Sequence, residues 1–227
     1  MNVRSDFFPT VETALADPNG LLAMGGDLSL PRLLAAYRQG IFPWFNPGDP
    51  ILWWSPDPRM VLVPDDIRVT RSLDKRLRNG GYELRVDSAF VEVMRGCAAP
   101  RPGADGTWIS PAMIAAYTRL FDAGYAHSIE SWRDGQLLGG LYGVALGRMF
   151  YGESMFSRAA DASKVALVRL ARQLQRWEFG LIDCQMETAH LASLGARTWP
   201  RAAFTARLAE LVNLPHRPGP WSFDAPD

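Results

Sequence analysis

Between residues 126 and 185 the chain follows a pattern that few folds can satisfy. Strand-like runs at 126–132, 136–146 and 149–153 succeed one another, with a hairpin signal at Asp134-Gly135 and a turn signal at Gly147-Arg148 between them. Turn signals this short join antiparallel neighbours. A helix is predicted over 162–177, with Val165, Val168, Ala171 and Leu174 recurring on one side, and a five-residue strand over Leu181–Gln185 follows it.

Upstream, Met60–Val63 reads as a short strand, Ser72–Arg78 as a short basic helix and Tyr82–Val86 as another strand. Asp87 is expected to cap a helix that turns Phe90, Val93, Met94 and Cys97 to one side. Ser110-Pro111 opens a further helix with Ile114, Tyr117 and Phe121 inward and Gly124 as its stop. After the strand at 181–185 come a helix from about Thr188, ended by Gly195, and a last one near 203–212. The class is α/β (α+β), and strands followed by helix, strand and helix resemble half of an acetyltransferase-like (GNAT-type) fold.

The first sixty residues differ. One helix is legible there, starting near Ser29 with Pro31 in its first turn and Gly40 at its C-terminal cap. From Ile41 to Pro56, prolines argue against a central strand or a helix, which leaves a compact aromatic loop region. A small N-terminal domain, 1–60, and a larger one, 61–227, are therefore expected. A chain of 227 residues with 48% apolar side chains can bury cores of that size.

Charge excludes a global nucleic-acid signature: 24 basic and 24 acidic side chains cancel, so any RNA contact must be local. The best local candidate is Arg68, Arg71, Lys75, Arg76 and Arg78, several cations on or beside one short helix, with Arg71, Lys75, Arg76 and Arg78 as the RNA-binding set. Such a cluster can grip phosphates without reading sequence, although runs of this size are commonly solvated helix faces. Trp44, Trp53, Trp54 and Trp108 could stack on a nucleobase or simply fill a domain short of regular structure. Cys97 and Cys184 form no close pair, the histidines have no metal-ligand spacing, and P-loop, G-x-G-x-x-G and G-x-S-x-G motifs are missing. No metal and no cofactor are expected. The N-terminal run Met1–Asp6 has no apolar signal core and no stretch approaches a membrane span, which points to a soluble cytoplasmic protein.

Chemistry concentrates in two strands. In Leu181–Gln185, alternation puts Asp183 and Gln185 on a shared face and Ile182 and Cys184 on the other. Asp183 could accept from the Gln185 amide and leave the Gln185 carbonyl to accept from an amine; a structural polar pair at a strand end is the plainer alternative. Glu153, set among Gly152, Met155 and Phe156, could anchor a cation or be an ordinary strand-end charge. Phe150, Met155 and Phe156 could line an apolar pocket or serve as core.

Several blocks taken together resemble the leucyl/phenylalanyl-tRNA–protein transferase family. They include Pro18-Asn19-Gly20-Leu21-Leu22, Gly25-Gly26-Asp27-Leu28, Gly40-Ile41-Phe42-Pro43-Trp44-Phe45 and Trp53-Trp54-Ser55-Pro56-Asp57-Pro58-Arg59. Gly106-Thr107-Trp108-Ile109, His127-Ser128-Ile129-Glu130, Gly152-Glu153-Ser154-Met155-Phe156-Ser157, Ile182-Asp183-Cys184-Gln185 and His190-Leu191-Ala192-Ser193-Leu194-Gly195 continue the series in order. The resemblance implies a bacterial cytosolic enzyme that moves Leu or Phe, and Met less well, from aminoacyl-tRNA to proteins beginning with Lys or Arg, marking them for N-degron degradation. It implies catalytic roles for Asp183 and Gln185, a place for Glu153 beside the incoming basic N-terminus, and Trp44 and Trp108 around the terminal adenosine. It also implies a side-chain pocket of Leu141, Phe150, Met155, Leu170 and Leu174. A monomer is expected. Two other readings remain open at this point: an acyl-CoA N-acyltransferase, although residues 157–163 before the long helix contain no glycine, and a non-catalytic tRNA-binding module.

Overall fold

The structure, a computed structural model, describes residues 8–100 and 107–224. The expectations for Met1–Asp6 and for Gly106 lie outside the described residues. Chain order begins with β1 (Leu21–Met24), α1 (Leu30–Arg38), β2 (Phe42–Pro43), β3 (Leu52–Trp54), β4 (Arg59–Leu62), α2 (Arg71–Asn79) and β5 (Glu83–Val86). It continues with α3 (Phe90–Ala98), α4 (Pro111–Asp122), β6 (Ala126–Arg133), β7 (Gln136–Leu146) and β8 (Met149–Ser157). Then come α5 (Ala162–Arg176), β9 (Leu181–Gln185), α6 (Ala189–Ser193), β10 (Arg197–Trp199) and α7 (Arg201–Leu211).

Two sheets result: a small one in the order β1-β3-β2 and a seven-stranded one in the order β10-β4-β9-β8-β7-β6-β5. β6, β7 and β8 form the antiparallel meander that the short turns demand, and β9 returns through α5 to lie parallel to β8. A crossover of this length is what parallel pairing requires. The fold is mixed α/β, with the expected run of antiparallel strands, helix, parallel strand and helix in the larger part of the chain.

Side-chain alternation divides the core between the two faces of the large sheet. On β7, Tyr142, Val144 and Leu146 join one apolar cluster with Leu33, Tyr37, Trp53, Val93, Met113 and Tyr117. Leu141 and Ala145 join the other, with Phe150, Val165, Val168, Leu170, Leu174 and Ile182. The first cluster runs without a break from the small sheet into α3 and α4.

Several local expectations give way. The aromatic segment from Ile41 to Pro56 supplies β2 and β3 of the small sheet rather than a loop region. Its prolines do not prevent pairing because Pro43 sits on the edge strand β2, where no ladder bond is lost. Trp53, fully buried, donates its indole N–H to the Gly25 carbonyl at 3.0 Å. Asp87 does not cap α3. Its backbone is left-handed, its carboxylate meets His127 Nδ1 and the N–H groups of Ser128 and Trp221, and Ala89 stands at the N-cap position. Buried Glu130 instead takes the N–H groups of Ser88 and Ala89, just before the first turn of α3, at 3.0 and 2.9 Å, and α3 itself has no side-chain cap. In α4 the buried stripe is Met113, Ala116, Tyr117 and Leu120, with Ile114 and Phe121 only partly covered. β10, three residues long, carries no apolar alternation and was not legible.

Two glycines end helices as expected. Gly40 has φ +73°, and an added Cβ would stand 2.7 Å from the Phe204 ring. Gly195 has φ +105°, and its Cβ would lie 2.3 Å from the Asp66 carbonyl oxygen. No side chain fits at either position without displacement.

Candidate active site

Two bulges shape the site. In β8 the pairing with β7 shifts so that Gly152 faces Gly143 and Ser154 faces Tyr142, which leaves Glu153 as the extra residue. The buried Glu153 carboxylate accepts from the Tyr37 hydroxyl at 2.7 Å, the Tyr117 hydroxyl at 3.0 Å and Gln185 Nε2 at 3.2 Å. The two tyrosine hydroxyls also meet each other, so their two protons are shared among three contacts. Burial raises the Glu153 pKa to about 7, opposed by the hydrogen bonds from Tyr37 and Tyr117. Burial, reinforced by the Glu153 charge, holds both phenols well above their ordinary range, so they act as donors.

In β9 the pairing with β4 shifts between Val61, opposite Asp183, and Met60, opposite Gln185. Gln185 has φ +62°, a left-handed backbone that is uncommon for a residue with a Cβ. Its N–H donates to Asp183 Oδ1 at 2.8 Å. Arg59 closes on the same carboxylate as a fork, with Nε to Oδ1 at 2.8 Å and Nη2 to Oδ2 at 2.6 Å. Both side chains of this pair are 1% exposed.

A cavity of about 480 Å³ opens above these strands. Phe42, Pro43, Trp44 and Trp108 line one part, and Leu141, Phe150, Met155, Leu167, Ile182 and Leu191 supply apolar wall. Glu153, Cys184, Gln185, Thr188 and His190 also line it. Burial pushes the Cys184 thiol far up, so it is wall rather than nucleophile. The pKa of His190 is lowered, first by burial and then by neighbouring Lys164.

The structure brings Glu153, Gln185, Trp44, Trp108, Leu141, Phe150 and Met155 to this single cavity. Three expectations are corrected. Asp183 and Gln185 do not share a face of β9: Ile182 and Cys184 line the cavity, Asp183 is turned to Arg59, and Gln185 reaches the cavity through the bulge. Asp183 therefore holds the Gln185 backbone, while Glu153 takes the Gln185 amide. Leu170 and Leu174 belong to the core rather than the cavity wall, and Leu167, earlier on α5, occupies the wall.

On α2, Arg71, Lys75 and Arg78 are exposed and Arg76 is half-buried. Thr70 Oγ1 caps the helix by accepting from the Leu73 N–H at 3.3 Å. Arg78 pairs with Asp74 at 2.7 Å, and Arg76 lies 3.7 Å from Asp161, the residue that Lys164 of α5 approaches at 3.4 Å. The basic helix thus stands beside the N-terminus of α5. Sequence reading missed Arg59, Tyr37 and Tyr117 as site residues. Tyr117 stood in a predicted stripe and Tyr37 inside the predicted helix between Ser29 and Gly40, and nothing in the pattern marked their hydroxyls as convergent. Among the described residues, no three His, Cys, Asp or Glu side chains gather as a metal would need.

The fold is α/β, and its candidate site is an apolar cavity with a polar seat formed by Glu153 and Gln185. The family model for leucyl/phenylalanyl-tRNA protein transferase matches residues 61–209, and the model for that protein's N-terminal domain matches residues 26–57. A leucyl/phenylalanyl-tRNA–protein transferase of Thiobacillus denitrificans is 80% identical over 97% of this chain and 97% of its own length. One from Nitrosospira multiformis is 65% identical over 96% of this chain and 94% of its own. A GCN5-related N-acetyltransferase from Kribbella flavida aligns at a TM-score of 0.37 and 12% identity, over 74% of this chain and 59% of that one. That likeness is too distant to carry weight, and the fold class rests on the strand order above. The chain belongs to the leucyl/phenylalanyl-tRNA–protein transferase family.

Proposed function

We propose that the protein moves Leu or Phe, and Met less well, from aminoacyl-tRNA to the N-terminal Lys or Arg of acceptor proteins. It works in the cytoplasm as a monomer and marks its products for N-degron degradation. The observation that carries this reading is the adjacency of an apolar cavity to the Gln185–Glu153 pair. An aminoacyl ester is already activated, so aminolysis needs mainly a positioned, neutral amine. An α-amino group with a pKa of ~8 is partly neutral near pH 7.

Leu141, Phe150 and Met155, with Leu167 and Ile182, receive the side chain of the amino acid being moved. Trp44 and Trp108 stack on the terminal adenosine, and Arg71, Lys75, Arg76 and Arg78 grip the tRNA backbone. Glu153 faces the basic acceptor. Because the Gln185 amide donates to Glu153, its carbonyl oxygen is left to accept from the α-amine. The amine nitrogen then bonds the ester carbonyl carbon, the bond to the ribose oxygen breaks, and a proton from the amine ends on that ribose oxygen. Asp183 serves this step through its hold on Gln185. The small N-terminal part and the larger catalytic one, expected as 1–60 and 61–227, share a core, and β4 (Arg59–Leu62) across that boundary belongs to the sheet of the larger part.

Incubating the protein with labelled Leu-tRNA and a peptide beginning with Lys or Arg tests the reading. Label moves to the peptide N-terminus if it is right. An intact ester after incubation contradicts it, and points to a binding module that leaves the donor unreacted.

A further inference from the structure

Building on that transfer reading, we propose that Arg59 is a positioning residue for the reaction: its guanidinium fixes the Asp183 carboxylate, which fixes the Gln185 backbone and so aims the Gln185 side chain into the cavity. The chain of contacts is continuous. Asp183 Oδ1 accepts from both Arg59 Nε and the Gln185 N–H, each at 2.8 Å, while Oδ2 takes Arg59 Nη2 at 2.6 Å. A left-handed glutamine persists only where its surroundings hold it, and this shared oxygen supplies the hold.

Arg59 is itself clamped. Its guanidinium carbon lies 4.8 Å from the centre of the Phe42 ring and 4.7 Å from that of Phe204. Phe42 lines the cavity two residues before Trp44, so one cation ties the amine side of the site to the aromatic side. A buried ion pair is a poor stability device, since apolar residues of similar size commonly serve as well. What the fork adds is direction: two parallel N–H bonds fix the carboxylate plane in a way that an ammonium does not.

Arg59→Lys keeps the charge and removes the fork. Two readouts separate positioning from bulk stability: hydrogen exchange of the Gln185 amide by NMR, and single-turnover transfer at saturating substrates. Exchange at Gln185 is expected to quicken, and kcat to fall about 10- to 100-fold with both KM values within about threefold of wild type. Unchanged exchange at Gln185 overturns the proposal, as does wild-type kcat in a variant whose Gln185 amide has loosened. Should Arg59→Lys not fold, Arg59→Ala is assayed with added guanidinium. Rate recovery with guanidinium and not with ammonium supports the proposal, and equal response to both overturns it. A wild-type chain that transfers nothing contradicts the transfer reading instead, and Gln185 exchange then still decides whether Arg59 holds that residue.

Discussion

Gln185 donates its side-chain amide to Glu153 Oε1 at 3.2 Å, joining two strands whose bulges both open toward the same cavity. Glu153 takes two further hydrogen bonds, from Tyr37 and Tyr117, so one buried carboxylate orients the glutamine and is itself oriented. Any change in the charge or place of that carboxylate is therefore felt at Gln185.

The Glu153 pKa, raised from an ordinary 4.5 to about 7, makes both stability and activity depend on pH. The folded state binds this proton more tightly than the unfolded state. Stability is therefore lost as pH rises from about 4.5 to about 7, by on the order of 3 kcal/mol for this group. Glu153→Gln should remove that loss, leaving the variant more stable relative to wild type at pH 8 than at pH 4 in thermal melts. In acceptor kinetics, kcat/KM should climb through about pH 7 in the wild type as Glu153 ionises, and Glu153→Gln should leave only the rise from the acceptor α-amine of pKa ~8.

Leu167 and Leu174 lie on the same helix but face different surroundings. Leu167→Ala changes the cavity wall and should alter the ratio of Leu to Phe transfer by up to ~1–3 kcal/mol per methylene altered. Leu174→Ala, in the sealed core, should cost about 2–5 kcal/mol of stability and leave that ratio unchanged. Competition between Leu-tRNA and Phe-tRNA, alongside denaturant melts, checks both.

Trp44 is 40% exposed at the cavity rim, open to a flat partner. Trp44→Ala should weaken aminoacyl-tRNA binding by about 1–3 kcal/mol, the usual worth of one base–aromatic stack. KM for the donor rises accordingly, while KM for the peptide holds. A donor KM equal to wild type removes Trp44 from the adenosine site.

The basic helix gives a salt prediction. For every phosphate left without its cation, the slope of log K against log salt should flatten by ~0.7–0.9. Replacing Arg71 or Lys75 singly by Ala should flatten it more than replacing Arg78, whose charge is already paired with Asp74. Titrations at several ionic strengths decide this, and an unchanged slope places the RNA elsewhere.

Much of this was legible because periodicity and turn chemistry are local. The meander at β6–β8, the α5 stripe and the bounds of β9 all follow from alternation, short turns and helical spacing. The site was legible only as a set of residues. Strict alternation would put Asp183 and Gln185 together, but one bulge and one left-handed residue separate them. Bulges leave no mark on a hydrophobic pattern. Arg59 was invisible for a different reason: its partner is more than a hundred positions away, and a cation in a strand reads as surface until the pairing of β4 with β9 buries it.

The central claim is that the Gln185 side chain steers an amine to an aminoacyl ester at this cavity. Single-turnover transfer from leucyl-tRNA to an Arg-starting peptide, with both saturating, tests it in wild type and in Gln185→Ala. The account predicts a rate about 10²-fold lower in the variant, as expected for a misplaced reactant, with donor binding retained. Equal rates in the two proteins would contradict it.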